Sequence, residues 1–288
     1  MKLKILLILC CIGSLGGALM TACKPKPASD KPDVLVTIEP LRYFAEQIAG
    51  EHFTIQSMVP KGSSPETYDP TPQQLVDLTE CKAYLAVGHL GFEQQWIQKL
   101  SENAPNVRFC NTSEGVKYLS SSHTHDGEKA GDEPHVWTSP SNALIMAKNI
   151  CNLFCELDPE HQEEYTQNYT QLATLIQQTD AEIRTIVNNG VQTTFAIYHP
   201  TLTYFANDYG LEQLCIESDG KEPSPAQLKT LIEHCKKDHV KVIFIQQEFN
   251  QHNAEIVAQE TGAELITINP LSYEWQKEII NIANALKK

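Results

Sequence analysis

The chain has 288 residues and a formal net charge of −14, from 22 Lys and Arg against 36 Asp and Glu. That balance argues against a nucleic-acid partner, which requires a basic face. It suits a collector of cations, although most such charges simply form a solvated surface.

In chain order, Lys2 and Lys4 open an apolar run that ends at Met20-Thr21-Ala22-Cys23. The run is broken by Gly13, Ser14, Gly16 and Gly17 and falls short of the roughly 20 unbroken apolar residues of a membrane span. It reads as a secretory signal over residues 1–22. Its end resembles the lipobox of bacterial lipoproteins, which makes Cys23 the expected lipidation site. Loss of the leader removes two lysines and no acid, so the mature charge is −16. Residues 23–32, rich in Lys and Pro, form the expected tether. No later segment is long and apolar enough to span a membrane. Beyond Cys23 there are six cysteines and no CxxC pair, which argues against a thiolate zinc site. Buried thiols or a single structural bridge are expected instead.

The next stretch alternates short apolar runs with helical patterns. Strands are predicted at 34–38, 53–59, 83–87 and 107–110, and helices at 41–49, 73–79 and 93–100. Such alternation indicates a parallel α/β layer. Residues 120–133, Ser-, His-, Gly- and acid-rich with no hydrophobic period, are predicted to form a mobile loop, followed by a helix over 140–157. Asp158-Pro159 offers an N-cap with proline at the first helical position. From there Tyr165, Tyr169, Leu172, Ile176, Ile183 and Val187 keep helical spacing on one face. A helix of about 30 residues and roughly 45 Å follows. After Gly190 the alternation resumes, with strands at 194–197, 214–216, 240–245 and 265–268 and helices at 200–209, 224–238, 253–261 and 273–286. The expected fold is α/β: a lobe over 33–157, one long rigid helix over 158–190, and a second lobe over 191–288, each with a parallel sheet.

Ligands of open parallel sheets gather at the carboxyl ends of strands. His199 follows the strand at 194–197, Glu248 the strand at 240–245, and Asn269 the strand at 265–268. Glu66 lies in the loop after the second strand, and His135 precedes the helix opening at Pro140. His89, after the third strand, is a weaker candidate for the cleft. A single histidine is more often a satisfied structural residue than a ligand. One candidate in loop after loop, across both lobes, is what points to a site.

Those loops also carry a family resemblance. The segments 37–41 (Thr-Ile-Glu-Pro-Leu), 60–72 (with Gly62-Ser-Ser-Pro-Glu66-Thr-Tyr-Asp-Pro70), 133–137 (Glu-Pro-His-Val-Trp), 198–205 (Tyr-His-Pro-Thr-Leu-Thr-Tyr-Phe), 244–249 (Phe-Ile-Gln-Gln-Glu-Phe) and 268–271 (Ile-Asn-Pro-Leu) resemble the zinc/manganese solute-binding proteins of ABC transporters. The resemblance implies a metal held in the cleft between the lobes and delivered to a membrane permease by an extracytoplasmic, lipid-anchored monomer. It carries His135 and His199 over as ligands. It departs at Glu66, where the family usually has His, and at Asn269, where it often has Asp. The expected set is therefore Glu66, His135 and His199. Glu248 or Asn269 is left as a possible fourth donor, with Glu248 alternatively orienting His199 from behind. Two imidazoles favour Zn2+, while the added carboxylate keeps Mn2+ and Fe2+ in play. His-rich loops also occur in zinc-selective relatives, which makes His123, His125 and Asp126 an expected accessory metal loop; a merely solvated acidic loop is the plain alternative.

Three rival functions stand against this reading. A zinc metallohydrolase would use the same donor types, but no HExxH helix is present, and the run His123-Thr-His125-Asp126 only superficially resembles the HxHxDH hydrolase pattern. A siderophore- or corrinoid-binding lipoprotein shares the architecture, but such clefts favour aromatic or Arg-rich linings and this chain has few Arg. Adhesion or metal buffering without a transporter leaves no motif of its own.

Overall fold

The central strands are unbroken apolar runs because both faces of each sheet are covered. Val34–Val36 (β1), Ala83–Ala86 (β3), Thr194–Ile197 (β5) and Val242–Gln246 (β7) are buried at every position, as expected of parallel strands between helical layers. In the computed structural model, which describes residues 31–120, 131–217 and 220–287, these strands form the middles of two sheets. Ile55–Ser57 (β2) and Arg108–Asn111 (β4) flank the first, in the order β2-β1-β3-β4. Glu212–Cys215 (β6) and Glu264–Ile268 (β8) flank the second, in the order β6-β5-β7-β8. All pairings among these strands are parallel. The leader with Cys23, the tether up to residue 30, and the segment of His123, His125 and Asp126 lie outside the described residues.

The helices of the first lobe are Glu39–Ala49 (α1), Pro72–Glu80 (α2), Gly91–Asn103 (α3) and Pro140–Leu157 (α4). Those of the second are Thr203–Tyr209 (α6), Pro225–Lys237 (α7), His252–Thr261 (α8) and Trp275–Ala285 (α9). Between them runs Gln162–Asn188 (α5), 27 residues, or about 40 Å at 1.5 Å per residue. It packs against α4, α1 and α9. Its buried stripe, Tyr165, Leu172, Ile176, Thr179, Ile183 and Ile186, keeps the expected spacing. Among the described residues no helix is long and apolar enough to cross a membrane.

The long helix begins later than its sequence signals suggest. Asp158 makes no capping bond, and Pro159–His161 form a separate 3-10 turn. The carboxylate is engaged elsewhere: its Oδ2 accepts from Tyr165 Oη and pairs with His161 Nδ1, each at 2.7 Å. β2 is likewise shorter than its apolar run, yet Met58 and Val59 still donate backbone bonds to Val36 and Thr37. The loop bearing Glu66 thus departs from a backbone already tied to β1.

One continuous core joins the lobes, running from β1 and α1 through α4 and α5 to β5, β7 and α9. Tryptophans stitch the seam. Trp137 Nε1 donates to Pro270 O at 2.8 Å, and Trp275 Nε1 donates to Trp137 O at 2.7 Å. On the same seam Arg42 sits 4.3 Å above the Tyr273 ring, and Phe44 meets Trp275 edge-on at 5.2 Å. Lobes sharing one core cannot swing far apart without exposing it. Because fully buried Ile176 anchors the long helix to this core, Ile176→Ala is expected to cost about 2–5 kcal/mol in urea unfolding. A loss below 1 kcal/mol would mean that the helix does not carry the shared core.

Candidate metal centre

The sheet orders reverse direction between β1 and β3 and between β5 and β7, where ligand crevices of open parallel sheets form. His199 leaves β5 at such a point and is clamped from the neighbouring strand. Gln246, fully buried at the end of β7, accepts from His199 N at 3.4 Å and donates to His199 O at 2.6 Å and to Thr201 Oγ1 at 2.9 Å. The ring packs face-on against Phe249, centroids 5.1 Å apart. His135 closes the segment before the 3-10 turn Val136–Thr138 and is 4% exposed. Its carbonyl accepts from Thr138 Oγ1, and its ring lies edge-on to Trp137.

Each imidazole is held by a carboxylate from behind. His135 Nδ1 pairs with Glu133 Oε1, and His199 Nδ1 with Glu217 Oε1 at 2.8 Å. Glu133 is in turn fixed from the second lobe, where Tyr204 Oη donates to its carbonyl and Thr203 Oγ1 to its carboxylate. Burial pushes the Glu133 carboxyl up, but the adjacent His135 outweighs it and holds the group below the usual carboxylate range. Burial alone would lower His135, yet Glu133, then Glu66 and Glu217, raise it.

A carboxylate that accepts at Nδ1 leaves a neutral imidazole with its Nε2 lone pair turned forward. The two Nε2 atoms face each other: those of His135 and His199 are 3.3 Å apart. A tetrahedral ion with Zn–N bonds of about 2.0–2.1 Å sets two nitrogen ligands roughly 3.3–3.4 Å apart. Two opposed lone pairs at that separation call for a cation.

Glu66 places a third candidate donor beside them. The first turn of α3 holds it: Gly91 N donates to Glu66 Oε2 at 3.0 Å and Phe92 N to Pro65 O at 2.9 Å. A helix N-terminus stabilises a carboxylate placed this way. The other oxygen, Oε1, is buried without a hydrogen-bond partner and lies 3.8 Å from His135 Nε2. Among the described residues, donor atoms of Glu66, His135 and His199 all fall within 4.8 Å of one another. The turn before α3 is itself braced by buried Glu93, which accepts from Val87 N, Gly88 N and Thr37 Oγ1.

Glu248 lines the same small pocket, about 10 Å³, together with Ser64, Trp137, Thr201 and Phe249. Burial raises its carboxyl, partly offset by His199 and His135. The acceptor behind His199 is Glu217 rather than Glu248. Asn269 stands outside this pocket and lines a larger cleft of about 460 Å³ with Glu39, Lys61, Glu248 and Glu274; its backbone N–H donates to Glu278. His89 turns away, packing on Tyr118 near Asp132. Sequence reasoning missed Glu133 and Glu217 as orienting groups. Glu217 follows β6 and was open to the same strand-end rule that found His199.

Residues 34–286 match the family model of ZnuA, described as zinc-uptake complex component A, periplasmic. The chain belongs to the ZnuA family. The high-affinity zinc uptake system protein ZnuA of Bacillus subtilis is 27% identical over 274 residues, covering 90% of this chain and 85% of that protein. The zinc-binding lipoprotein AdcA of Streptococcus pneumoniae is 25% identical over 273 residues, or 90% of this chain, which spans only 54% of AdcA. A crystal structure of a ZnuA superposes with a TM-score of 0.82 at 33% identity, covering 88% of this chain and 97% of that one. The two-lobed α/β architecture with one long helix is thus that of a solved ZnuA.

Within this ZnuA-family site the position of Glu66 depends on the absence of a side chain at residue 91. A Cβ on Gly91 would meet Glu66 O at 2.6 Å and Oε2 at 2.8 Å. Gly91→Ala is therefore expected to displace Glu66 and weaken divalent-metal binding roughly ten- to a hundredfold in calorimetric titration, the range typical of lost support around a ligand. An unchanged affinity would remove Glu66 from the donor set.

Proposed function

We propose that this chain captures one divalent transition metal, zinc foremost, outside the cytoplasm and passes it to the membrane permease of an ABC importer. Glu66, His135 and His199 are the ligands, with Glu248 as the fourth donor in preference to Asn269, because Glu248 shares their pocket. The observation that carries this reading is the pair of Nε2 atoms 3.3 Å apart with each Nδ1 tied to a carboxylate. Imidazole donors favour zinc, and the carboxylate leaves Mn2+ and Fe2+ as the ions to compete against it. The chain is a binding component and not an enzyme. A hydrolytic zinc keeps an open position for substrate, whereas the pocket here has room for about one ion or water. A siderophore or corrinoid would have to occupy the wider cleft of about 460 Å³, whose lining offers no arginine and a single aromatic ring, Tyr273. The wider cleft, with Glu39, Glu248 and Glu274 against Lys61, suits the approach of a cation. We further propose the division into a signal over residues 1–22, a tether with lipidated Cys23 up to residue 32, lobes over 33–157 and 191–288, and a linking helix over 158–190. The protein acts as a lipid-anchored monomer, with His123, His125 and Asp126 as an accessory metal loop.

Calorimetric titration of the metal-stripped chain should give one tight zinc site, much weaker manganese, and loss of that site in His135→Ala/His199→Ala. Tight binding that survives both substitutions would move the site elsewhere. A ligating imidazole must be unprotonated, and His135 holds its proton above the ordinary histidine range. Below its pKa each added proton competes with the metal, so affinity should fall as pH drops, beginning above about 6.5. A flat profile between pH 7.5 and 5.5 would rule out this pair as ligands.

A further inference from the structure

A second group of metal-binding side chains meets where the first lobe abuts the long helix. His52 lies in the turn between α1 and β2, before the strand, whereas Glu66 lies beyond its other end. Asp158 ends α4, His161 closes the 3-10 turn, and Glu164 stands in the first turn of α5. One donor atom from each of His52, Asp158 and His161 lies within 4.8 Å of the others. His52 Nε2 is 2.9 Å from Glu164 Oε2, and His161 Nδ1 is 2.7 Å from Asp158 Oδ2. The two rings stack with centroids 3.9 Å apart.

An aspartate and a histidine three residues apart are a common surface pair. What sets this group apart is a second imidazole, more than a hundred residues away in sequence, laid on the first and bringing its own carboxylate. The approach is built into the backbone. Gly50 has φ +58, a conformation that favours glycine, and the turn it makes passes beside Glu164 at the start of α5. Asp158 is steadied by Tyr165 Oη, and Tyr165 also lies edge-on to His52.

We propose that His52, Asp158 and His161, with Glu164 as fourth donor, form a second divalent transition-metal site that pins the α1–β2 turn to the α4–α5 junction. Two imidazoles with two carboxylates are a donor set for zinc or a neighbouring first-row ion. The donors must close from 4.8 Å to roughly 3.3 Å. These side chains are partly exposed, from 23% for His52 to 51% for Glu164, and can shift that far without disturbing a core. The ion takes the place of the hydrogen now between each imidazole and its carboxylate, and a neutral ring then carries that hydrogen on its other nitrogen. Nothing encloses this ion, so it is held more weakly than the ion in the cleft and ties structure together instead of travelling as cargo.

The test is metal counting by equilibrium dialysis of the full chain against zinc, with His123→Ala and His125→Ala in every sample. Two zinc ions per chain are expected. His52→Ala/His161→Ala should lose one and keep the tighter, and His135→Ala/His199→Ala should lose the tighter and keep the other. Asp158→Asn, which preserves an acceptor for Tyr165, should lose the weaker ion without changing the circular dichroism spectrum. Two ions retained in His52→Ala/His161→Ala, or a single ion in the parent that survives it, would overturn the second site. A single ion lost with His52 and His161 but kept without His135 and His199 would support the second site and overturn the cleft site.

Discussion

The molecule is organised around two lone pairs that face each other. An imidazole has two nitrogens, and fixing a hydrogen on one commits the other to accept. Glu133 and Glu217 make that commitment for His135 and His199 from opposite sides. Without them the rings could turn or take the other tautomer, and the 3.3 Å gap between Nε2 atoms would be no more than a long hydrogen bond. With them the gap has the form of a coordination site. The geometry of the pocket therefore rests on two carboxylates that need not touch an ion.

Holding that gap requires both lobes at once. His135 belongs to the first lobe and His199 to the second, and Glu133 is gripped across the seam by Thr203 and Tyr204. The tryptophan pair fixes the segment beyond His135 to the loop after β8, while Gln246 fixes His199 to β7. The core through α4 and α5 makes these local constraints consistent with one another. A hinge between freely moving lobes would spread the nitrogens by far more than the few tenths of an ångström a metal tolerates. The long helix and the paired imidazoles are thus parts of one design: rigidity along the seam is what the proposed sharing of one ion between two lobes requires.

Much of this was legible in sequence because burial leaves a direct signature. Strands covered on both faces read as apolar runs, and the polar residues within a few positions of each run's end fall at the sheet's carboxyl edge; His199 and Glu248 were found that way. The stripe on α5 was equally visible, since Leu172, Ile176 and Ile183 repeat at the helical period. Pairings made only by folding were not visible. Glu217 becomes significant when β6 lies beside β5, and Gln246 looks like a strand residue until its amide meets the His199 backbone. Asp158 failed as a cap for a related reason. Its carboxylate is drawn to Tyr165 and His161, and nothing local reports that competition. His52 and His161 sit more than a hundred residues apart, and only the packing of α1 against α5 stacks them.

The abundance of carboxylate around the imidazoles raises a question of selectivity. Glu66, Glu133 and Glu217 surround the pair, with Glu248 lining the same pocket, and the effect on His135 is to hold its proton more tightly. Charge alone therefore attracts a proton as it attracts a dication, and cannot by itself favour the metal. Distance can. At 3.3 Å a proton on one Nε2 makes only a long hydrogen bond to the other ring. A tetrahedral ion of zinc's size satisfies both nitrogens at that separation, and it also meets the buried Oε1 of Glu66, which has no hydrogen-bond partner. The seam thus holds the rings at a spacing that suits an ion bridging both nitrogens better than a proton shared between them.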